Sequence, residues 1–248
     1  MISIGHLDLN LTEHCNLSCL NCSHASPYST PRFMSLEIIE RDLAALKPFL
    51  KTHAINLVGG EPTLHKQIVE IMRLVKKIQI DVSTTFITNG TQLLRMQEDF
   101  WKELEYLSIS IYPGLDPACI EKAKEMQRVY SFGMGLRESN EFHRQFRKEP
   151  NDGSHFASCH WKSDCYTVHE GFFYLCPQAA FFPSRFMGLQ DGVDGLSLDG
   201  ITEEKLAAYM HRTEPFNACR ICIANEMYCA PWRQSSKRSE WLKESKSV

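Results

Sequence analysis

The stretch Ile4-Gly5-His6-Leu7-Asp8-Leu9-Asn10-Leu11 alternates in polarity and runs straight into Cys15-Asn16-Leu17-Ser18-Cys19-Leu20-Asn21-Cys22. Alternation with period two predicts a strand, and the thiols fall in the loop at its C-terminal end. Working outward, residues 23–32 are rich in Ser, Pro and Tyr and read as loop. Ser35 is positioned to cap a helix over residues 36–50. Residues 54–58 form a short apolar run ending in Gly59-Gly60, a strand meeting a loop. Apolar residues at 68, 71, 72, 74, 75 and 78 mark an amphipathic helix. Residues 82–88 are rich in β-branched side chains and end at Asn89-Gly90; a helix over 92–104, a strand over 107–111, a helix over 117–130 and a strand over 132–136 follow.

Short apolar strands alternating with amphipathic helices predict a parallel sheet with crossover helices. Sites in such sheets lie at the C-terminal ends of the strands, where the cysteine loop and the two glycine-bearing loops fall. A complete eight-unit barrel takes about 250 residues. The alternation here fades near residue 140. The expected fold is therefore α/β, a partial (β/α)6-type TIM barrel over residues 1–145. A small cysteine-rich α+β extension over 146–235 and a polar tail over 236–248 complete the chain.

The chain has 248 residues, 43% hydrophobic and 23% charged, enough for a sizeable core and unlike a disordered chain. A net charge of -3 gives no support to a nucleic-acid partner. No basic region followed by an apolar segment opens the chain, and no apolar run reaches membrane-spanning length. The expected setting is cytoplasmic, with no membrane partner. Ten cysteines, at 15, 19, 22, 119, 159, 165, 176, 219, 222 and 229, then point to metal or redox chemistry, because stable disulfides are rare in a reducing compartment. Cys119, alone in a helix, reads as a core thiol.

Cys15, Cys19 and Cys22 put three thiols in eight residues. Three close thiolates suit three irons of a cubane and leave the fourth iron open. Zinc is the alternative, with His14 or His24 as a fourth ligand.

The CxxxCxxC pattern after a first strand resembles the radical S-adenosylmethionine superfamily. Gly59-Gly60-Glu61-Pro62 looks like that family's GGEP motif, and Thr88-Asn89-Gly90 resembles its TNG. The resemblance covers residues 4–140. It implies that Cys15, Cys19 and Cys22 hold a 4Fe–4S cluster that cleaves S-adenosylmethionine. It also implies that Gly59, Gly60, Glu61 and Pro62 hold the methionine amino group. Thr88 and Asn89 would border the cofactor, Ser108 and Ser110 on the fourth strand would approach its ribose and carboxylate, and Arg137 past the fifth would meet the carboxylate. Asn21 stands where relatives often carry an aromatic residue near the adenine. His14 reads as structural.

The second cysteine group resembles the SPASM and shorter twitch extensions. Cys159 is followed by eleven residues, Gly171, four residues and Cys176; Cys219 and Cys222 come later. Gly171 reads as a hairpin turn between 166–169 and 172–175, and residues 202–210 as a helix. The resemblance implies one auxiliary 4Fe–4S cluster on Cys159, Cys176, Cys219 and Cys222, against a zinc staple as the alternative. Cys165 and Cys229 are left over. Either could replace Cys159, sit in the core, or act as a catalytic hydrogen-atom donor.

The implied enzyme makes a 5'-deoxyadenosyl radical and abstracts a hydrogen atom from a small polar metabolite such as a sugar or aminocyclitol. Net oxidation in natural-product biosynthesis is the leading expectation. A radical epimerase with a cysteine donor, or modification of a ribosomal peptide, is the alternative, and a non-catalytic zinc protein the last. A flavodoxin- or ferredoxin-type electron donor is the implied partner. With the first strand starting at Ile4, no peptide-recognition domain is expected ahead of it in this chain. His143, Arg144, Gln145, Phe146 and Arg147 are candidate substrate contacts, against a solvated surface helix as the alternative; Trp232 and Arg233 read as surface packing, with a cavity edge as the alternative.

Overall fold

The computed structural model describes residues 1–78, 82–147, 149–223, 229–235 and 237–241. β1 (Ile2–Asn10) pairs in parallel with β2 (Leu50–Val58), in register from Ile2 against Leu50 to Asn10 against Val58. Between them α1 (Leu36–Leu46) starts where the Ser35 hydroxyl accepts from the Ile38 amide at 3.3 Å. The helix stops short of residue 50 because Leu50 is taken by the ladder to Ile2. α2 (Ile68–Ile78) buries Ile68, Ile71, Met72 and Val75 along one face, as its spacing predicts.

β3 (Ser83–Thr88), β4 (Tyr106–Ile111) and β5 (Gly133–Glu138) extend the parallel sheet, and α4 (Pro117–Tyr130) joins the last two. The helix expected over 92–104 is instead a 3-10 turn (Leu93–Arg95) and a short α3 (Glu98–Lys102). Met96 and Gln97 are extended between them, and the Met96 carbonyl accepts from the Trp101 indole at 3.3 Å. Complete burial of Leu93, Phe100 and Trp101 decides this break over local helix propensity.

The strand order is β5-β4-β3-β2-β1-β7-β8-β9. β7 (Thr167–His169) lies parallel to β1, with Asp8 opposite Thr167, so the extension supplies a sixth parallel strand on the far side of β1. β8 (Phe172–Tyr174) and β9 (Leu196–Ser197) follow antiparallel. Glu170 and Gly171, both at positive φ (44° and 83°), make the two-residue hairpin turn that Gly171 predicts. A separate pair joins β6 (Glu141–His143) to β10 (Cys229–Pro231). The architecture is a partial barrel with an α+β extension whose hairpin continues the barrel sheet.

α5 (Pro177–Phe186) is absent from the sequence reading, while α6 (Glu203–Met210), capped by Thr202, is present in it. Pro177 to Pro183 are all buried, Gln178 among them, so burial runs round the segment and leaves no amphipathic period. The Glu13 carboxylate links the two regions. It receives the Arg185 guanidinium of α5 and the His169 Nε2 of β7 (3.0 Å), with Arg32 at 3.7 Å. Arg32 also pairs with Glu170. Cys119 is buried in α4, as read from its position. Among the described residues no helix is long and apolar enough to cross a membrane.

Candidate functional site

The loop after β1 is held by the loop after β2. The Gly60 amide donates to the Thr12 carbonyl (2.6 Å) and the Glu61 amide to the His14 carbonyl (2.8 Å). A Cβ on Gly60 would run into the His14 carbonyl and stand 2.9 Å from the Cys15 amide. Glycine is required there because two backbones touch where the cysteine loop begins. Gly60→Ala should therefore displace Cys15 and cut iron loading severalfold under anaerobic reconstitution, while Gly5→Ala, with nothing near its Cβ, should load normally.

Glu61 is buried, and its carboxylate serves four donors of the chain. Oε1 accepts from the Thr63 amide (3.1 Å), the Thr63 hydroxyl (2.6 Å) and the Thr88 hydroxyl (2.7 Å). Oε2 accepts from the Asn89 amide at 2.8 Å. Burial pushes its pKa up while these four bonds pull down, and the net shift is upward. Glu61 thus ties the β2 loop to the β3 loop. Asn89 carries the connection on: its Nδ2 donates to Asn16 Oδ1 (2.9 Å) and reaches Cys15 Sγ at 3.8 Å.

One cavity of about 530 Å³ collects Cys15, Cys19, Cys22, Asn21, Gly59, Gly60, Glu61, Thr88, Asn89, Ser110 and Arg137. Arg137 Nη2 donates to Ser110 Oγ at 3.2 Å. Ser108, deeper on β4, and Pro62, buried in its 3-10 turn, do not line this cavity. The same cavity takes in Cys165, Asp8, His143, Gln145 and Gln178. Burial, with Asp8, Asp164 and Cys159 nearby, pushes the Cys165 thiol up to about 12, so it stays protonated. Cys229 differs: it is exposed, outside the cavity lining, and its sulfur lies 3.3 Å from His143 Nδ1. Of the candidate contacts at 143–147, His143 and Gln145 reach the cavity, whereas Phe146 is buried against Phe182 and Phe186.

Asp8 escapes the sequence reading, although its place in the alternation of β1 is a usable signal. Its carboxylate accepts from Asn56 Nδ2 at 2.7 Å on β2. Tyr112, Trp161 and Gln178 also line the cavity without any local signal in the sequence.

Cys159, Cys176, Cys219 and Cys222 line a second, smaller pocket together with Phe156 and Phe216. Cys176 precedes α5, and Cys219 lies on a 3-10 turn (Ala218–Arg220). Buried Asp194 fixes that turn by accepting from the amides of Asn217 (2.9 Å) and Ala218 (2.8 Å). Trp161 and Gln178 border both cavities.

The thiol geometry tests which metal group fits. A tetrahedral zinc ion would hold its thiolate sulfurs roughly 3.8 Å apart, given a Zn–S bond near 2.3 Å. Among the described residues, the only three ligand atoms all within 4.8 Å of one another belong to Glu13, His169 and Glu170. The chemistry of the cysteine donor sets fits another group: three thiols from one loop, and four thiols lining one pocket, suit an iron–sulfur cluster. The Glu13 group carries two guanidinium partners and is an ion-pair cluster. His14 gives its carbonyl to Glu61 and sets its ring edge-on to Phe33, in keeping with a structural role. His24 packs against Phe181, and burial lowers its pKa to about 4. Burial pushes Cys15 up and Cys19 up to about 12, so loading must displace thiol protons.

The profile of the Radical SAM superfamily matches residues 9–134. The chain is 39% identical over 95 residues to a probable GTP 3',8-cyclase of Pyrococcus horikoshii, covering 38% of this chain and 30% of that one. It is 33% identical over 137 residues to a GTP 3',8-cyclase of Haemophilus ducreyi, covering 53% and 39%. It therefore spans 30–39% of the length of these curated relatives. Among solved structures, BtrN in complex with AdoMet and 2-DOIA superposes with a TM-score of 0.59 at 13% identity, over 85% of this chain and 83% of that one. That overlap shows a shared fold through barrel and extension. With the cysteine loop on β1, the glycine loop zipped against it and half of its length matched, the chain belongs to the radical S-adenosylmethionine superfamily.

Proposed function

We propose that this chain returns a hydrogen atom from Cys165 to a small polar substrate after one has been removed, so that the net reaction is an epimerisation. The carrying observation is that Cys165 opens into the same cavity as Cys15, Cys19 and Cys22. Hydrogen-atom abstraction from a small-molecule or peptide substrate is the chemistry that S-adenosylmethionine and an iron–sulfur cluster supply when bound. Cys15, Cys19 and Cys22 would hold that cluster, and Cys159, Cys176, Cys219 and Cys222 a second 4Fe–4S cluster. Residues 1–145 would form the cofactor barrel and 146–235 the extension. Gly59, Gly60, Thr88, Asn89, Ser110, Arg137 and Asn21 would border the cofactor, and Asp8, Gln145 and Gln178 would orient hydroxyl or amine groups of the substrate.

A cavity of about 530 Å³ lies in the ordinary range for small ligands and must also take the cofactor. The fold shared with BtrN, whose complex holds AdoMet and 2-DOIA, supports a substrate of small-molecule size. Protonated Cys165 gives its S–H hydrogen to the substrate carbon. The sulfur radical left behind regains one electron and one proton, the electron from an external flavodoxin- or ferredoxin-type donor. Trp161 and Gln178 border both the cavity and the four-thiol pocket. That adjacency favours a second reading, net oxidation of the same substrate, in which no hydrogen returns.

Turnover in deuterium oxide separates the two. Epimerisation places one solvent deuterium on the inverted carbon, and Cys165→Ala still forms 5'-deoxyadenosine but no epimer. A product two electrons more oxidised, free of solvent deuterium and insensitive to Cys165→Ala, would establish oxidation instead.

A further inference from the structure

The segment after the last cysteine lies along the first cysteine loop, with Trp232 half-buried and Arg233 exposed. The Leu20 amide donates to the Arg233 carbonyl (2.9 Å), and the Ser235 amide to the Ser18 carbonyl (2.7 Å). The Ser18 amide donates to Gln234 Oε1 at 3.0 Å, and Cys19 forms a bridge with Gln234. These bonds strap the extension across residues 18–20. They bring Trp232 Nε1 to 3.2 Å from Cys19 Sγ. The Trp232 amide is fixed by the Asn140 carbonyl at 2.8 Å. Its ring stacks on Tyr112, with centroids 5.4 Å apart and planes at 21°. Tyr112 stands edge-on to Phe142, and both line the cavity.

We infer that Trp232 is a positioning residue for the cofactor-cleaving cluster: its indole N–H donates to the Cys19 sulfur, and its stack on Tyr112 holds the ring in that place. The inference rests on the reading of Cys19 as a cluster ligand. A hydrogen bond to a thiolate withdraws charge from it and favours the reduced, more negative cluster; such bonds and solvent exposure set iron–sulfur potentials. Indole donates through this one N–H only, so losing it removes the whole effect.

The test is a potentiometric titration followed by electron paramagnetic resonance on anaerobically reconstituted wild type, Trp232→Phe and Trp232→His. The signal followed is the one that changes when S-adenosylmethionine is added. Phenylalanine keeps a stacking ring without a donor, and histidine keeps a ring N–H. The expected result is unchanged iron and sulfide in Trp232→Phe with a more negative midpoint, and a midpoint nearer wild type in Trp232→His. If Trp232→Phe loses its cluster, retention in Trp232→His carries the same conclusion. A wild-type midpoint in Trp232→Phe, or equal loss or equal shift in both variants, overturns the inference. Cys19→Ala tests the underlying reading separately: if full iron and the responsive signal survive, the ligand assignment fails, whatever Trp232 does.

Discussion

Replacing Cys15, Cys19 and Cys22 together with alanine is expected to lower iron from about eight to about four per chain and to bring cleavage of S-adenosylmethionine down to background. All three thiols belong to one loop, so the triple change removes every proposed ligand of that group at once. The second set is built from different elements: the segment before α5, the 3-10 turn held by Asp194, and the loop carrying Cys159. Its absorption should therefore survive. The reciprocal change, Cys219→Ala with Cys222→Ala, should remove the other half of the iron and leave cofactor cleavage measurable. Cleavage persisting in the triple variant would overturn the assignment of the first group, and zinc in place of iron in wild type would overturn both.

Glu13→Ala is expected to be the most damaging single change outside the cysteines. The Glu13 side chain is 1% exposed and faces two guanidinium groups and His169. Removing one member of such a buried set leaves uncompensated charge and costs about 3–5 kcal/mol. That corresponds to a fall of about 10 °C in thermal midpoint for a chain of this size. Burial alone would raise the Glu13 pKa. The bond from His169 and the charges of Arg185, His169 and Arg32 outweigh it and hold the carboxyl at about 2. The folded pKa lies below the ordinary carboxyl value of 4.5. The associated stability, about 3 kcal/mol, is thus complete above that value and is lost as pH falls toward 2. Thermal midpoints followed through this acid window should fall steeply in wild type and less steeply in Glu13→Ala. Equal slopes would mean that Glu13 is not the group being titrated.

Much of the barrel is legible in the sequence because its elements announce themselves locally. α2 and α4 match their expected bounds, since amphipathic spacing and an Asp116 cap act within a few residues. The helix over 92–104 fails for the opposite reason: Phe100 and Trp101 are drawn into a core made by other segments, and the backbone opens at Met96 to suit them. α5 leaves no periodic trace because its first seven residues, Pro177 to Pro183, are all buried. In the site, motif order on the strand ends brings out Gly60, Glu61 and Asn89, but not what they do here. That Glu61 spends its carboxylate on Thr63, Thr88 and Asn89, tying two loops together, depends on neighbours up to 28 positions away.

Sequence alone determined the alternation of strands and helices, the place of the cysteine loop after the first strand, and the division of ten thiols into groups. Each of these is a pattern over a few neighbouring residues, set by side-chain period or ligand spacing. Only the tertiary structure decided that β7 joins the barrel sheet beside β1, that Cys165 faces the cavity while Cys229 does not, and that Trp232 meets Cys19 across 213 positions of chain. Contacts of that kind arise from packing between elements distant in sequence, and no local period encodes them.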